Sequence, residues 1–131
     1  MDKYFRLLMI IILGLILFGC HSELKTTFDS DGEELWLKLI NTKWLKEEVI
    51  EETNTKPLIE YYISETFGFT CRINYDYYID SEFKIKSILK NEIKGGVTSF
   101  NVEVFDNILN ISEWKDEVFD FVLNGKYIRV E

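Results

Sequence analysis

The clearest pattern in the chain is an alternation. Phe69, Cys71, Ile73, Tyr75, Tyr77 and Ile79 take the odd positions, while Thr70, Arg72, Asn74, Asp76 and Asp80 take even ones. A period of two predicts a β-strand with one buried face and one wet face, Tyr78 being the exception. Upstream the period differs. Leu35, Trp36, Leu39 and Ile40 recur at helical spacing and predict one apolar face of a short helix. Ser30-Asp31-Gly32-Glu33 reads as its start, with Ser30 as N-cap and Glu33 closing a capping box.

Turn signals divide the chain beyond this helix. They are Thr53 to Pro57, Gly68, Asp80-Ser81-Glu82, Lys94-Gly95-Gly96, Asp106-Asn107, Lys115-Asp116-Glu117 and Asn124-Gly125. About eight short segments lie between them, the spacing of an all-β barrel or sandwich. A two-residue turn at Asp106-Asn107 sets Val104 against Leu109 and Val102 against Ile111. A second hairpin, at Asn124-Gly125, pairs Val122 with Tyr127, Phe121 with Ile128 and Asp120 with Arg129. A three-residue loop at Lys115-Asp116-Glu117 joins the two hairpins with matching faces. The expected fold is therefore all-β: a small antiparallel up-and-down meander or barrel of about eight strands, preceded by a short N-terminal helix.

The first residues obey another logic. Lys3 and Arg6 precede an apolar run from Leu7 to Phe18, which ends in Gly19-Cys20. Such a run is too short to cross about 30 Å of hydrocarbon, which takes roughly 20 residues. It has the length of a secretory signal's apolar middle. Leu17-Phe18-Gly19-Cys20 resembles the lipobox of bacterial lipoproteins. That resemblance implies a signal peptide over residues 1–19 and a lipid on Cys20, which anchors the chain to a membrane of the bacterial cell envelope. The residue directly after Cys20 is His21 and not aspartate, which by the family's habit points to the outer membrane or cell surface. Residues 20–32 then read as the lipidated cysteine and a polar tether, and residues 33–131 as the β domain.

A short helix before the first strand, Trp44 at that strand's start, an up-and-down order and the closing Tyr127-Ile128-Arg129-Val130 resemble a lipocalin-like (calycin-type) domain. The resemblance implies that a late arginine packs on the first-strand tryptophan. Arg129 is the candidate for Trp44, and Trp44, Asp120 and Arg129 are expected to be structural.

Charge and chemistry narrow the function. The 131-residue chain carries a formal net charge of −8, and its leader is slightly basic, so the remainder is more acidic still. Phosphate backbones repel such a domain, so nucleic acid is not an expected partner. With Cys20 lipidated, Cys71 has no disulfide partner and reads as a small buried hydrophobe. The only histidine, His21, sits beside the anchor, so no Ser-His or Cys-His pair is expected in the domain. Glu47-Glu48 and Glu51-Glu52 read as solvated carboxylates, no Cys/His cluster suggests a metal, and no cofactor is expected.

Aromatic residues crowd the first half of the domain. Tyr61, Phe69, Tyr75, Tyr77 and Phe83 are the candidate lining of an apolar ligand pocket, and equally the filling of a solid core. Two functions are compatible with this. One is a membrane-anchored, non-enzymatic binding module for a small apolar molecule or envelope component. The other is a solid-core barrel that meets a protein partner through its outer surface, Trp114 or Tyr78 being the side chains to look for there.

Overall fold

The alternation from Phe69 builds a strand with its apolar face buried as expected, although Thr70, expected on the wet face, is buried too. In the computed structural model, which describes residues 25–51, 54–75, 80–117 and 123–130, Phe69, Cys71, Ile73 and Tyr75 are all buried. The elements in chain order are β1 (Thr27–Phe28), α1 (Ser30–Leu39), β2 (Thr42–Lys46), β3 (Leu58–Ser64), β4 (Gly68–Asn74), β5 (Asp80–Lys84), β6 (Ser87–Leu89), β7 (Glu92–Gly95), β8 (Thr98–Phe105), β9 (Ile108–Asp116) and β10 (Gly125–Val130). The leader, Cys20, Tyr77, Tyr78 and Asp120 lie outside the described residues. Among the described residues no helix is long and apolar enough to cross a membrane.

Among the described residues the domain is all-β with a single helix. Its strands join in the order β1-β6-β7-β8-β9-β10-β2-β3-β4-β5, antiparallel except for β1 beside β6. The up-and-down order closes on itself in two places. The last strand, β10, pairs with the first long one, β2. The segment Asp80–Leu89 changes partner midway. β5 pairs with β4, the Ile85 amide donates to the Phe69 carbonyl at 2.8 Å, and the next amide, Lys86, donates to Lys94 in β7 at 2.7 Å. Taken as one stave, β5–β6 therefore bridges the two sheet edges, and no long edge is left open. β1 fills the wedge where this stave leaves β4, with the Phe28 ring edge-on to Phe69 at 5.2 Å.

The expected Asp106-Asn107 hairpin is present in the expected register, Val104 opposite Leu109 and Val102 opposite Ile111. Other expectations are corrected. β9 continues through Asp116, so Lys115-Asp116-Glu117 is not a three-residue loop. Asn124-Gly125 is not a hairpin turn: Asn124 Oδ1 accepts the Trp114 amide at 3.0 Å, and Gly125 enters β10 at φ 141°. Both edges of β10 are taken, by β9 and β2, and Arg129 lies opposite Trp44. Asp80-Ser81-Glu82 belongs to β5, where Asp80 accepts both Nε–H and Nη2–H from Arg72 across the pair.

The N-terminal end of the domain is corrected as well. The stretch assigned to the tether is folded from Thr26 onward: its hydroxyl donates to the Ile85 carbonyl at 2.6 Å and Thr27 N–H to Lys86 at 3.0 Å. The helix cap is Asp29 and not Ser30. Asp29 Oδ1 accepts the Gly32 amide at 2.7 Å, and both carboxylate oxygens accept the Lys90 amide at 2.8 and 2.9 Å. The same carboxylate thus caps α1 and ties it to the β6–β7 turn.

These backbone donors, Lys90 first and Gly32 second, lower the Asp29 pKa from its ordinary 3.8. A carboxyl depressed on folding adds stability above its unfolded pKa and loses it as the pH falls through the folded value. Below about pH 4 the cap is therefore lost progressively. Asp29→Asn is expected to lower stability at neutral pH and to flatten the acid limb of a urea-midpoint-versus-pH curve. An unchanged limb would show that the acid loss comes from elsewhere, for instance from Asp80, which Arg72 lowers in the same sense.

Candidate functional site

The five aromatics singled out for a pocket do not line an open one. Tyr61 and Phe69 are fully buried, Tyr75 is 1% exposed, Phe83 is partly buried against the core, and Tyr77 lies outside the described residues. The helix supplies the plug. Trp36 projects from α1 with its ring edge-on to Phe69 at 5.1 Å and to Tyr61 at 6.5 Å. Burial raises the pKa of Tyr61, Cys71, Tyr75 and Tyr127; the three tyrosines receive lesser contributions from Cys71 and from one another, and Tyr75 also from Asp116. All four stay protonated at neutral pH, and Cys71 is a free, buried thiol and not a thiolate nucleophile. Trp114 is buried too, its ring stacked on Phe100 at 5.0 Å.

The concave surface lies outside the core, at the end of the barrel covered by α1. Three features of the sequence build it. The helix stops at Ile40 and the chain turns at Asn41, φ 59°, a backbone conformation that asparagine tolerates well. Thr42 then fixes helix to strand. Its hydroxyl donates to the Leu39 carbonyl and accepts Trp44 Nε1–H at 2.7 Å, which holds the indole in place. From the other side, the Arg129 amide donates to the Asn107 carbonyl at 2.9 Å and ties β10 to the β8–β9 turn. Arg129 and Trp44 are direct cross-strand partners and share one face, with the indole buried and the arginine exposed.

Between these elements lies a crevice of about 480 Å³. α1 contributes Leu37 and Lys38, and its C-cap Ile40 follows; β2 contributes Thr42 and Trp44; Val104, Phe105 and Asp106 come from the β8–β9 hairpin and Arg129 from β10. Its volume falls within the roughly 300–1,000 Å³ of small-molecule sites. Phe105 is 75% exposed at its rim, the most exposed of the large hydrophobic side chains described. Lys38, Asp106 and Arg129 form no ion pair with another described residue.

The sequence points to Trp44 and Arg129, but as structural residues, and it does not single out Leu37, Lys38, Phe105 or Asp106. One signal for Phe105 is present in it. With Val102 and Val104 facing inward, the alternation places Phe105 on the wet face beside a tight turn, where an aromatic has no packing reason to be.

Phe105 also begins an apolar row across the outside of the barrel. Cross-strand pairs run Phe105 to Ile108, Ile108 to Ile128, Ile128 to Leu45 and Leu45 to Leu58. The Lys126–Glu47 pair at 3.3 Å and the Lys43–Glu60 pair at 3.7 Å rim it on either side. Among the described residues no group of three or more His, Cys, Asp or Glu side chains is placed to hold a metal ion. Comparison of the chain with protein-family models, curated proteins and solved structures gives no match.

Proposed function

We propose that this protein is a non-enzymatic binding module of the bacterial cell envelope, held to a membrane by lipid on Cys20. The barrel is the scaffold, and the crevice at its helix-covered end holds a small, largely apolar molecule or a group of an envelope component. One observation carries this reading: Phe105 stands 75% exposed beside a crevice of about 480 Å³ whose other partly exposed apolar side chains are Leu37, Ile40 and Val104. Leaving a phenylalanine in water forgoes about 2 kcal/mol of burial, which an apolar occupant restores. The lipobox resemblance of Leu17 to Cys20 supports the location. The register of Arg129 against Trp44 and the helix across one barrel end support the lipocalin-like reading.

The test is native mass spectrometry of the full chain recovered from its host's envelope. The expected result is a reproducible added mass that Phe105→Asp abolishes and Tyr75→Phe leaves in place. An added mass that depends on Tyr75 and ignores Phe105 would place the ligand inside the barrel and overturn this reading. A bare chain mass would overturn it as well, in favour of a second reading, a protein partner. The outer row from Phe105 to Leu58, with its rim of ion pairs, favours that alternative specifically.

A further inference from the structure

We infer that the face built by β1, β6 and β7 rests on an anionic lipid surface, with Lys25, Lys84, Lys86, Lys90 and Lys94 toward the head groups. This rests on the lipid at Cys20 and adds how the domain sits on the membrane that holds it. Charge distribution is the starting point. Residues 25–29 and 84–94 hold five lysines against Asp29 and Glu92, whereas the remainder of the chain holds ten cations against twenty-one carboxylates. Lys25, Lys86, Lys90 and Lys94 are exposed and Lys84 is partly so. Of the two carboxylates, Asp29 is engaged by the amides of Gly32 and Lys90, and Glu92 meets Lys94 at 3.7 Å in a weak surface pair.

The fold gathers these lysines where the chain enters the domain. The Thr26 hydroxyl donates to the Ile85 carbonyl, between Lys84 and Lys86, and Thr27 N–H donates to the Lys86 carbonyl. Thr27 lies beside Ser87 and Ser87 opposite Lys94, so two strand spacings, about 10 Å, separate the entering strand from Lys94. Thr26 is six residues beyond Cys20, a span of at most about 20 Å when fully extended. A lipid on Cys20 therefore holds this face close to the head groups, whose attraction for lysine decays over about 8 Å. The same surface repels the acidic remainder, so the field turns the lysines toward the membrane. Leu89, 42% exposed and alternating with the buried Ile88, adds an apolar side chain between Lys86 and Lys90.

The experiment reconstitutes the full chain, purified from its host's envelope, into vesicles of phosphatidylcholine alone or of an equimolar mixture with phosphatidylglycerol. A membrane-impermeant acetylating reagent then modifies the lysines, and mass spectrometry reads each one. Lys25, Lys86, Lys90 and Lys94 are expected to react about fivefold more slowly on the anionic vesicles, the worth of one lysine near such a surface. Lys43 and Lys126, across the barrel on β2 and β10, should keep their rates, and high salt should remove the difference. Lys86→Gln combined with Lys94→Gln, both at exposed positions, should return Lys25 and Lys90 toward their rates on neutral vesicles. An acylated chain whose lysines react alike on both vesicles, or whose Lys43 and Lys126 slow equally, overturns the docking face and leaves the anchor standing. Protection that persists on neutral vesicles and grows with protein density gives the face to a second copy and overturns the inference too. A chain mass without an acyl group on Cys20 overturns the anchor reading, and the docking face with it.

Discussion

Replacing Gly32 with alanine is expected to destabilise the protein by on the order of 3 kcal/mol, although alanine is the better helix former by about 1 kcal/mol. Gly32 lies in the first turn of α1 and is buried. A Cβ built on it would stand 1.8 Å from the Ile88 carbonyl oxygen, 2.7 Å from that carbonyl's carbon and 3.1 Å from Asp29 Oδ1. The obstacle is strand backbone, which cannot swing aside as a side-chain tip can. Relief requires the helix to lift from β6, and lifting breaks the Asp29 contacts to both Gly32 and Lys90. Urea unfolding of Gly32→Ala beside Gly96→Ala separates the causes. Gly96 has φ 54° and nothing within 4 Å of its would-be Cβ, so that variant carries conformational strain alone, about 1 kcal/mol. Equal losses in the two variants would show that α1 does not press on β6 as described.

The sequence made this packing legible only in part, and for a physical reason. Local patterns survive into the structure where one face decides everything. The alternation through Phe69, Cys71, Ile73 and Tyr75 and the register across Asp106-Asn107 are of this kind, because slipping either by one residue would turn apolar side chains to water. The strongest turn signal failed because distant partners override it. Asn124 turns its side chain to the Trp114 amide, and barrel closure commits the edge of β10 to β2. The cap moved from Ser30 to Asp29 for the same kind of reason: only the carboxylate also satisfies Lys90, 61 residues away. Asp80-Ser81-Glu82 reads as a turn until Arg72 is found opposite Glu82 and bonded to Asp80. The crevice was the least legible feature. Its walls come from α1, β2, the β8–β9 hairpin and β10, and nothing local announces that these elements line one concave surface.

Trp36→Ala is expected to cost the most of any single side-chain truncation, about 3–5 kcal/mol, a large share of the roughly 5–15 kcal/mol that holds a domain of this kind together. The indole is fully buried and touches both Phe69 and Tyr61, so its loss leaves a cavity where the helix meets the barrel floor. Trp36→Phe should cost far less, below about 2 kcal/mol, because Trp36 Nε1 has no hydrogen-bond partner among the described residues and removing it strands no acceptor. The pair of variants also reaches the crevice. Trp36 is what seats α1, and α1 carries Leu37 and Lys38 and leads into Ile40, so truncation should loosen one wall of the site. Thermal unfolding is therefore expected to shift far more in Trp36→Ala than in Trp36→Phe. Equal losses in the two variants would mean that the volume of the indole is not what seats the helix, leaving that role to the Thr42 link to Leu39 and Trp44.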